Sequence, residues 1–144
     1  MGYPDKENEI EILKGRQGAN PLDSVRAVAN AADITSLQNA ADAVFCDDKI
    51  YDYIARLSEA TRNHEMIELG LSPRGSLSIA NLARAHAFIC GRNYVSPDDV
   101  ADIFFDSAAH RIVLSPKARI ADCDKKTVLE EIMKSTALPK ISRN

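Results

Sequence analysis

Gly70-Leu71-Ser72-Pro73-Arg74-Gly75-Ser76-Leu77 decides how this chain is to be read. Ser72-Pro73 is a helix start: the serine hydroxyl can accept a first-turn N–H, and proline at the first helical position gives up only an N–H that no helix would use. The helix predicted from it runs through Leu77, Ala80, Ala83 and Ala87 to Cys90, and Gly91 stops it. Ser96-Pro97-Asp98-Asp99 repeats the start signal, with Asp99 at the third position of a capping box and Val100, Ile103 and Phe104 as the apolar stripe.

The same 3.6-residue period extends in both directions. Upstream, Asp47 or Asp48 caps a helix with Ile50, Tyr53, Ile54, Leu57 and Thr61 on one face. Before that, Asp33 is expected to cap a helix bearing Ile34, Leu37, Ala41 and Val44. Residues 22–31 read as a short turn or helix, and Gly15, Gly18, Asn20 and Pro21 as the loop that ends a first helix over residues 5–14. Downstream, Ile112-Val113-Leu114 is a short strand or extended connector, and Asp124 caps a last helix with Val128, Leu129 and Ile132. The fold class expected is all-α: a small bundle of five or six helices, with at most one very short extended segment. Residues 1–135 form the domain, and 136–144 form a flexible C-terminal tail that frays from Leu138 onward.

Composition narrows the function classes. The chain has 144 residues, 45% of them hydrophobic and 27% charged, close to globular averages, with no apolar run near bilayer length. The amino terminus is polar and acidic, unlike a secretory signal. Cys46, Cys90 and Cys123 are odd in number and far apart, which suits a reducing, cytoplasmic location. Residues 1–72 hold 13 acids and 7 bases, and residues 110–144 hold 8 bases and 4 acids. No basic run reaches the density of a nucleic-acid patch, so nucleic acid is not the expected partner.

Catalytic motifs are missing. There is no GxxxxGK[ST] loop to cradle phosphates, no GxGxxG after a strand and no CxxC. His64, His86 and His110 lack partners at metal-ligand spacing, so no metal site is nominated. His86 reads as a packed or half-buried residue, and His64 and His110 as groups at helix ends. The chain is therefore not expected to be an enzyme by itself.

One residue breaks a local rule. Arg74 puts a cation in the first turn of its helix, against the positive end of the dipole, at a cost of roughly 0.3–1 kcal/mol before screening. Either Arg74 is an idle surface arginine, or an anion belongs beside it, bound jointly by the guanidinium and the free helix N–H groups.

Gly70-Leu71-Ser72-Pro73-Arg74-Gly75-Ser76, Leu82-Ala83-Arg84-Ala85 and Gly91-Arg92-Asn93-Tyr94-Val95-Ser96-Pro97-Asp98-Asp99-Val100 together resemble the carboxy-terminal half of MoxR-type AAA+ ATPases. Gly2-Tyr3-Pro4 with Glu9-Ile10-Glu11-Ile12-Leu13 is similar to the hinge and first lid helix of that family. Tyr53-Ile54, Thr61-Arg62 and His110-Arg111-Ile112-Val113-Leu114 match further positions. The resemblance runs from Gly2 to about Met133. It departs at Leu71, where the family usually has a small residue, and at Phe104-Phe105-Asp106-Ser107-Ala108-Ala109, which precedes the His-Arg pair.

The resemblance implies an AAA+ lid domain whose Arg74 is the sensor 2 arginine, with Ser72 and Arg74 contacting the nucleotide. It implies ATP with Mg2+, bound mainly by an α/β core, and hydrolysis by the parent protein alone. The partners implied are that core, neighbouring subunits of a ring (a hexamer), and a von Willebrand factor A-type protein, in chaperone-like remodelling. Met1 stands about where such a core would end, so the chain is expected to be an expressed fragment. The competing readings are a helix-turn-helix over Leu77–Phe104 and a histone-fold-like interaction module. The acids of Asp98-Asp99-Val100-Ala101-Asp102 oppose the first, and the second predicts an obligate dimer.

Overall fold

The computed structural model describes residues 2–15 and 21–140, so Gly18, Asn20 and the last residues of the expected tail lie outside the described residues. The chain divides into two compact units, Met1–Ile34 and Thr35–Asn144. In the first, helix α1 (Lys6–Lys14) starts on Asp5, whose side chain accepts the Asn8 N–H at 2.9 Å. All its residues face solvent. A 3-10 turn follows at Pro21–Ser24, within the stretch that sequence left ambiguous.

Helix α2 (Ala31–Asp42) does not start on Asp33 as expected. Asn30 caps it, accepting from Ala32 N and Asp33 N at 2.8 and 3.1 Å, while Asp33 reaches back to Asn30 N at 2.8 Å. Asp33 is thus the returning arm of a reciprocal cap three residues inside. The expected apolar face is not a core face: Ile34 and Leu37 are about half exposed, at 49% and 50%, and only Val44, beyond the helix end, is buried. The period made the helix readable, but nothing in it said whether the stripe is covered.

The second unit is built round helix α3 (Asp48–Asn63), capped by Asp47. Its Ile50, Tyr53, Ile54, Leu57 and Thr61 are all buried, as their spacing requires. Against α3 pack strand β1 (Ile67–Leu69), helix α4 (Pro73–Ile89), helix α5 (Pro97–Ala108) and helix α7 (Lys125–Ser135). Helix α4 supplies Ile79, Ala80, Ala83 and Ala87; α5 supplies Val100 and Phe104; α7 supplies Val128, Leu129 and Ile132. The alanines let α4 and α5 approach closely, and these two helices share the most extensive contact in the unit.

Strand β1 pairs antiparallel with β2 (Val113–Leu114), Ile67 opposite Leu114. Five-residue helix α6 (Pro116–Ile120) begins on Ser115, a third Ser-Pro start. The fold is all-α apart from this two-stranded ribbon, with seven α-helices among the described residues. After α7, the carbonyls of Ala137 and Lys140 accept from Arg56 and Lys49, at 2.7 and 3.0 Å. No helix among the described residues is long and apolar enough to cross a membrane.

Candidate functional site

The residues from β1 into α4 are held from beneath. Leu71 N donates to the buried Thr61 hydroxyl at 2.9 Å, and Arg62 Nε donates to Leu71 O at 2.7 Å, tying the turn to the end of α3. Gly70 lies so close to α3 that a Cβ there would stand 2.7 Å from Arg62 Cα. Leu71, the position flagged as unusual, is 1% exposed and serves as a core plug under the turn.

Ser72 then caps α4, its Oγ accepting from Gly75 N at 3.3 Å and its carbonyl from Gly75 N at 2.8 Å. Arg74 follows in the first turn, exposed, with no hydrogen bond or ion pair among the described residues. Its backbone N–H is one of those a helix start leaves without an intrahelical partner.

This helix start opens onto a cleft of about 720 Å3 lined by Leu69, Gly70, Ser72, Arg74, Leu77, Ser78, Asn81 and Arg111. The lining carries two guanidinium groups, two hydroxyls and an amide, and no carboxylate. That donor set suits phosphate oxygens and does not suit a cation. Among the described residues no three His, Cys, Asp or Glu side chains gather as a metal site. Leu77, read from sequence as part of the apolar face of α4, is 61% exposed and belongs to the cleft wall.

Both nominated residues, Ser72 and Arg74, therefore line one cleft. Sequence reasoning missed Arg111 there, quoting it only within a matched stretch. No local signal marked it, because its partner in α4, Ser78, lies 33 positions away. Gly75 accommodates Leu71, whose Cδ2 a Cβ would meet at 3.0 Å, whereas Arg111 Cδ at 3.5 Å would be an ordinary contact.

The three histidines are spread apart. His64 ends α3, its Nδ1 accepting from Met66 N at 3.2 Å, and His110 donates from Nδ1 to Asp106 O at 3.0 Å at the end of α5. His86 is half-buried and lies 2.7 Å from Asp99. Asp99 is fully buried and completes the expected capping box with Ser96. Burial pushes the Asp99 carboxyl up, but hydrogen bonds from Arg92, Ser96 and His86 outweigh it and hold the group well below the usual carboxylate range. The network joins the end of α4 to the start of α5.

With this geometry in view, three comparisons bear on the chain. A family model described as the AAA lid domain matches residues 59–132, just over half of the chain. YeaC of Bacillus subtilis, described as uncharacterized, is 32% identical over 139 residues, which span 96% of this chain and 43% of that protein. The chaperone MoxR1 of Mycobacterium tuberculosis is 32% identical over 151 residues, spanning 99% and 40%. A crystal structure from Cytophaga hutchinsonii, described as that of an ATPase, superposes with a TM-score of 0.82 at 25% identity, covering 97% of this chain and 45% of that one. The chain spans less than half the length of each of these relatives.

Proposed function

Because the chain belongs to the AAA lid domains, in the MoxR-type branch of AAA+ proteins, we propose that it works as the moving lid of an ATPase and that Arg74 is its sensor 2 arginine. The lid comprises residues 1–135, and residues 136–144 are its tail. The observation that carries this reading is Arg74 itself: an unpartnered guanidinium at the start of a 17-residue helix, on the wall of a cleft without acids.

The physics gives Arg74 two effects. A guanidinium beside the β–γ bridge of ATP offsets the negative charge that develops as the terminal phosphoryl group departs. Ser72 caps the first turn of α4 by taking the Gly75 N–H, which leaves the Arg74 N–H of that turn for the same oxygens. Because Arg74 rides on a body separate from the core, its attraction to the triphosphate also favours the closed lid, and loss of the γ-phosphate weakens that preference. Magnesium would be held by acids of the core and would supply further charge neutralisation; the cleft donors here serve only the anion. In a ring of such subunits, a hexamer in this reading, lid motion is transmitted to neighbours. The work done is chaperone-like remodelling of a partner, with von Willebrand factor A-type proteins as candidates.

The helix-turn-helix alternative has no support from a groove-reading surface. The first turn of α5 carries Asp98 and Asp99, and Asp99 is consumed by Arg92 and His86.

The test is Arg74→Ala in the protein that carries the core as well as this lid. Turnover of ATP should fall by about 10²–10³-fold, the usual cost of losing one donor to developing charge. Turnover equal to that of the unaltered protein would return Arg74 to the class of idle surface cations.

A further inference from the structure

The cleft holds a second guanidinium that nothing above assigns a task. Arg111 follows α5, and its Cδ lies beside Gly75 in the first turn of α4, 3.5 Å from where a Cβ there would stand. Its Nη1 donates to Ser107 O at 2.5 Å and its Nη2 to Ser78 Oγ at 3.2 Å. Those bonds use two of the five N–H donors a guanidinium has, leaving about three without a partner among the described residues on a half-buried group that lines the cleft.

The two arginines differ in a way that matters for binding. Arg74 is exposed and unpartnered, so it must give up rotamer freedom to meet a ligand. Arg111 is already fixed by Ser107, Ser78 and the flank of Gly75, so its unused donors meet a ligand with little ordering cost. No acid lines the cleft to neutralise either charge. Two like charges on one wall are unfavourable in the empty cleft and are relieved together by a single polyanion.

We propose that Arg111 is a second anion-binding arginine, a fixed anchor that takes one phosphate of a polyphosphate chain while Arg74 closes on the next. The proposal rests on the lid reading above and adds to it a second residue for the same triphosphate, which makes the site one for linked phosphates and not for a single one. Arg111 also acts as a brace, since the same fork ties the end of α5 to α4 through Ser107 and Ser78.

The experiment titrates the 144-residue chain with inorganic tripolyphosphate and, separately, inorganic phosphate, in low salt without magnesium, following amide shifts by NMR. Arg74→Ala, Arg111→Ala and Arg111→Gln are compared with the unaltered chain, with Lys126→Ala on α7 as a basic-residue control. Glutamine keeps the Cβ–Cδ stem beside Gly75 and removes the charge; it is too short to span Ser107 O and Ser78 Oγ together, so its melting curve reports the loss of the brace separately from the loss of binding. Melting curves verify that each variant is folded. Tripolyphosphate should bind more tightly than phosphate, with shifts centred on residues 70–78 and 111. Arg74→Ala, Arg111→Ala and Arg111→Gln should each weaken it about ten-fold, and Lys126→Ala should change little. If Arg74→Ala weakens binding while folded Arg111→Gln binds like the unaltered chain, the anchor role is overturned and the lid reading stands. If neither variant weakens binding, or the unaltered chain binds nothing, the anchor role is likewise overturned, and the sensor 2 role of Arg74 is decided separately by the turnover of Arg74→Ala in the protein that carries the core.

Discussion

His86 Nδ1 lies 2.7 Å from Asp99 Oδ1, and that contact joins the last turns of α4 to the first turn of α5. With Asp99 ionised, the ring donates from Nδ1. The carboxylate also takes both terminal nitrogens of Arg92, the Ser96 backbone N–H and the Ser96 hydroxyl. One buried carboxylate thus organises a helix end, a loop and a helix start.

Replacing Asp99 should be among the most damaging single changes outside the apolar core. Asp99→Ala leaves Arg92 and His86 without their common acceptor, at about 3 kcal/mol, the lower end of the range for a broken buried pair because both side chains stay partly hydrated. Urea titration of the variant checks the figure.

The pH dependence has a fixed sign. The folded-state pKa of Asp99 is depressed, so its contribution is fully present above the ordinary aspartate value of about 4 and is lost as pH falls below it toward the folded value. The stability of the unaltered protein should therefore decline below about pH 4 more steeply than that of Asp99→Asn, whose own stability is lower at neutral pH. Parallel decline in the two proteins would assign the acid sensitivity to other carboxylates.

Much of this was legible because it is local. The face of α3, the Ser72-Pro73 start and the Ser96–Asp99 box each depend on residues within a few positions of one another. What was not legible depends on distant partners or on very short elements. Strand β1 has three residues and exists because β2, more than forty positions later, lies beside it. Helix α6 has five, too few for periodicity, although Ser115-Pro116 announced it as plainly as the other two Ser-Pro pairs. Likewise Arg74 could be singled out from its conflict with the dipole, whereas the bond from Arg111 to Ser78 spans 33 positions.

Two glycines should respond differently to alanine. At Gly70 the new Cβ would stand 2.7 Å from both N and Cα of Arg62, backbone atoms that cannot turn aside. Gly70→Ala must move the turn that carries Ser72 and Arg74, so it should cost about 1–3 kcal/mol and disturb the cleft. Gly91 has φ +73 and open space around its Cα, so only backbone strain opposes a side chain there. Gly91→Ala should cost about 1 kcal/mol and leave the amide shifts of residues 70–78 unchanged, which heteronuclear NMR and thermal melts together would verify.

Arg74→Glu should make the isolated chain more stable, not less. The arginine has no partner among the described residues, so nothing is lost when it goes. A carboxylate in the same first turn faces the helix dipole with the favoured sign, as Asp98 and Asp99 do in α5, and it gains Arg111 as a neighbour on the cleft wall. Reversal of one exposed charge at a helix start amounts to roughly 1 kcal/mol, or a rise of a few degrees in melting temperature for a chain of this size. The gain should shrink in high salt, because the charges involved are screened. The same variant should bind no tripolyphosphate. A fall in melting temperature would mean that Arg74 is held by contacts of its own, and that its place at the helix start reflects structure and not a ligand; a rise together with lost anion binding is the trade expected of a residue kept for function at the expense of stability.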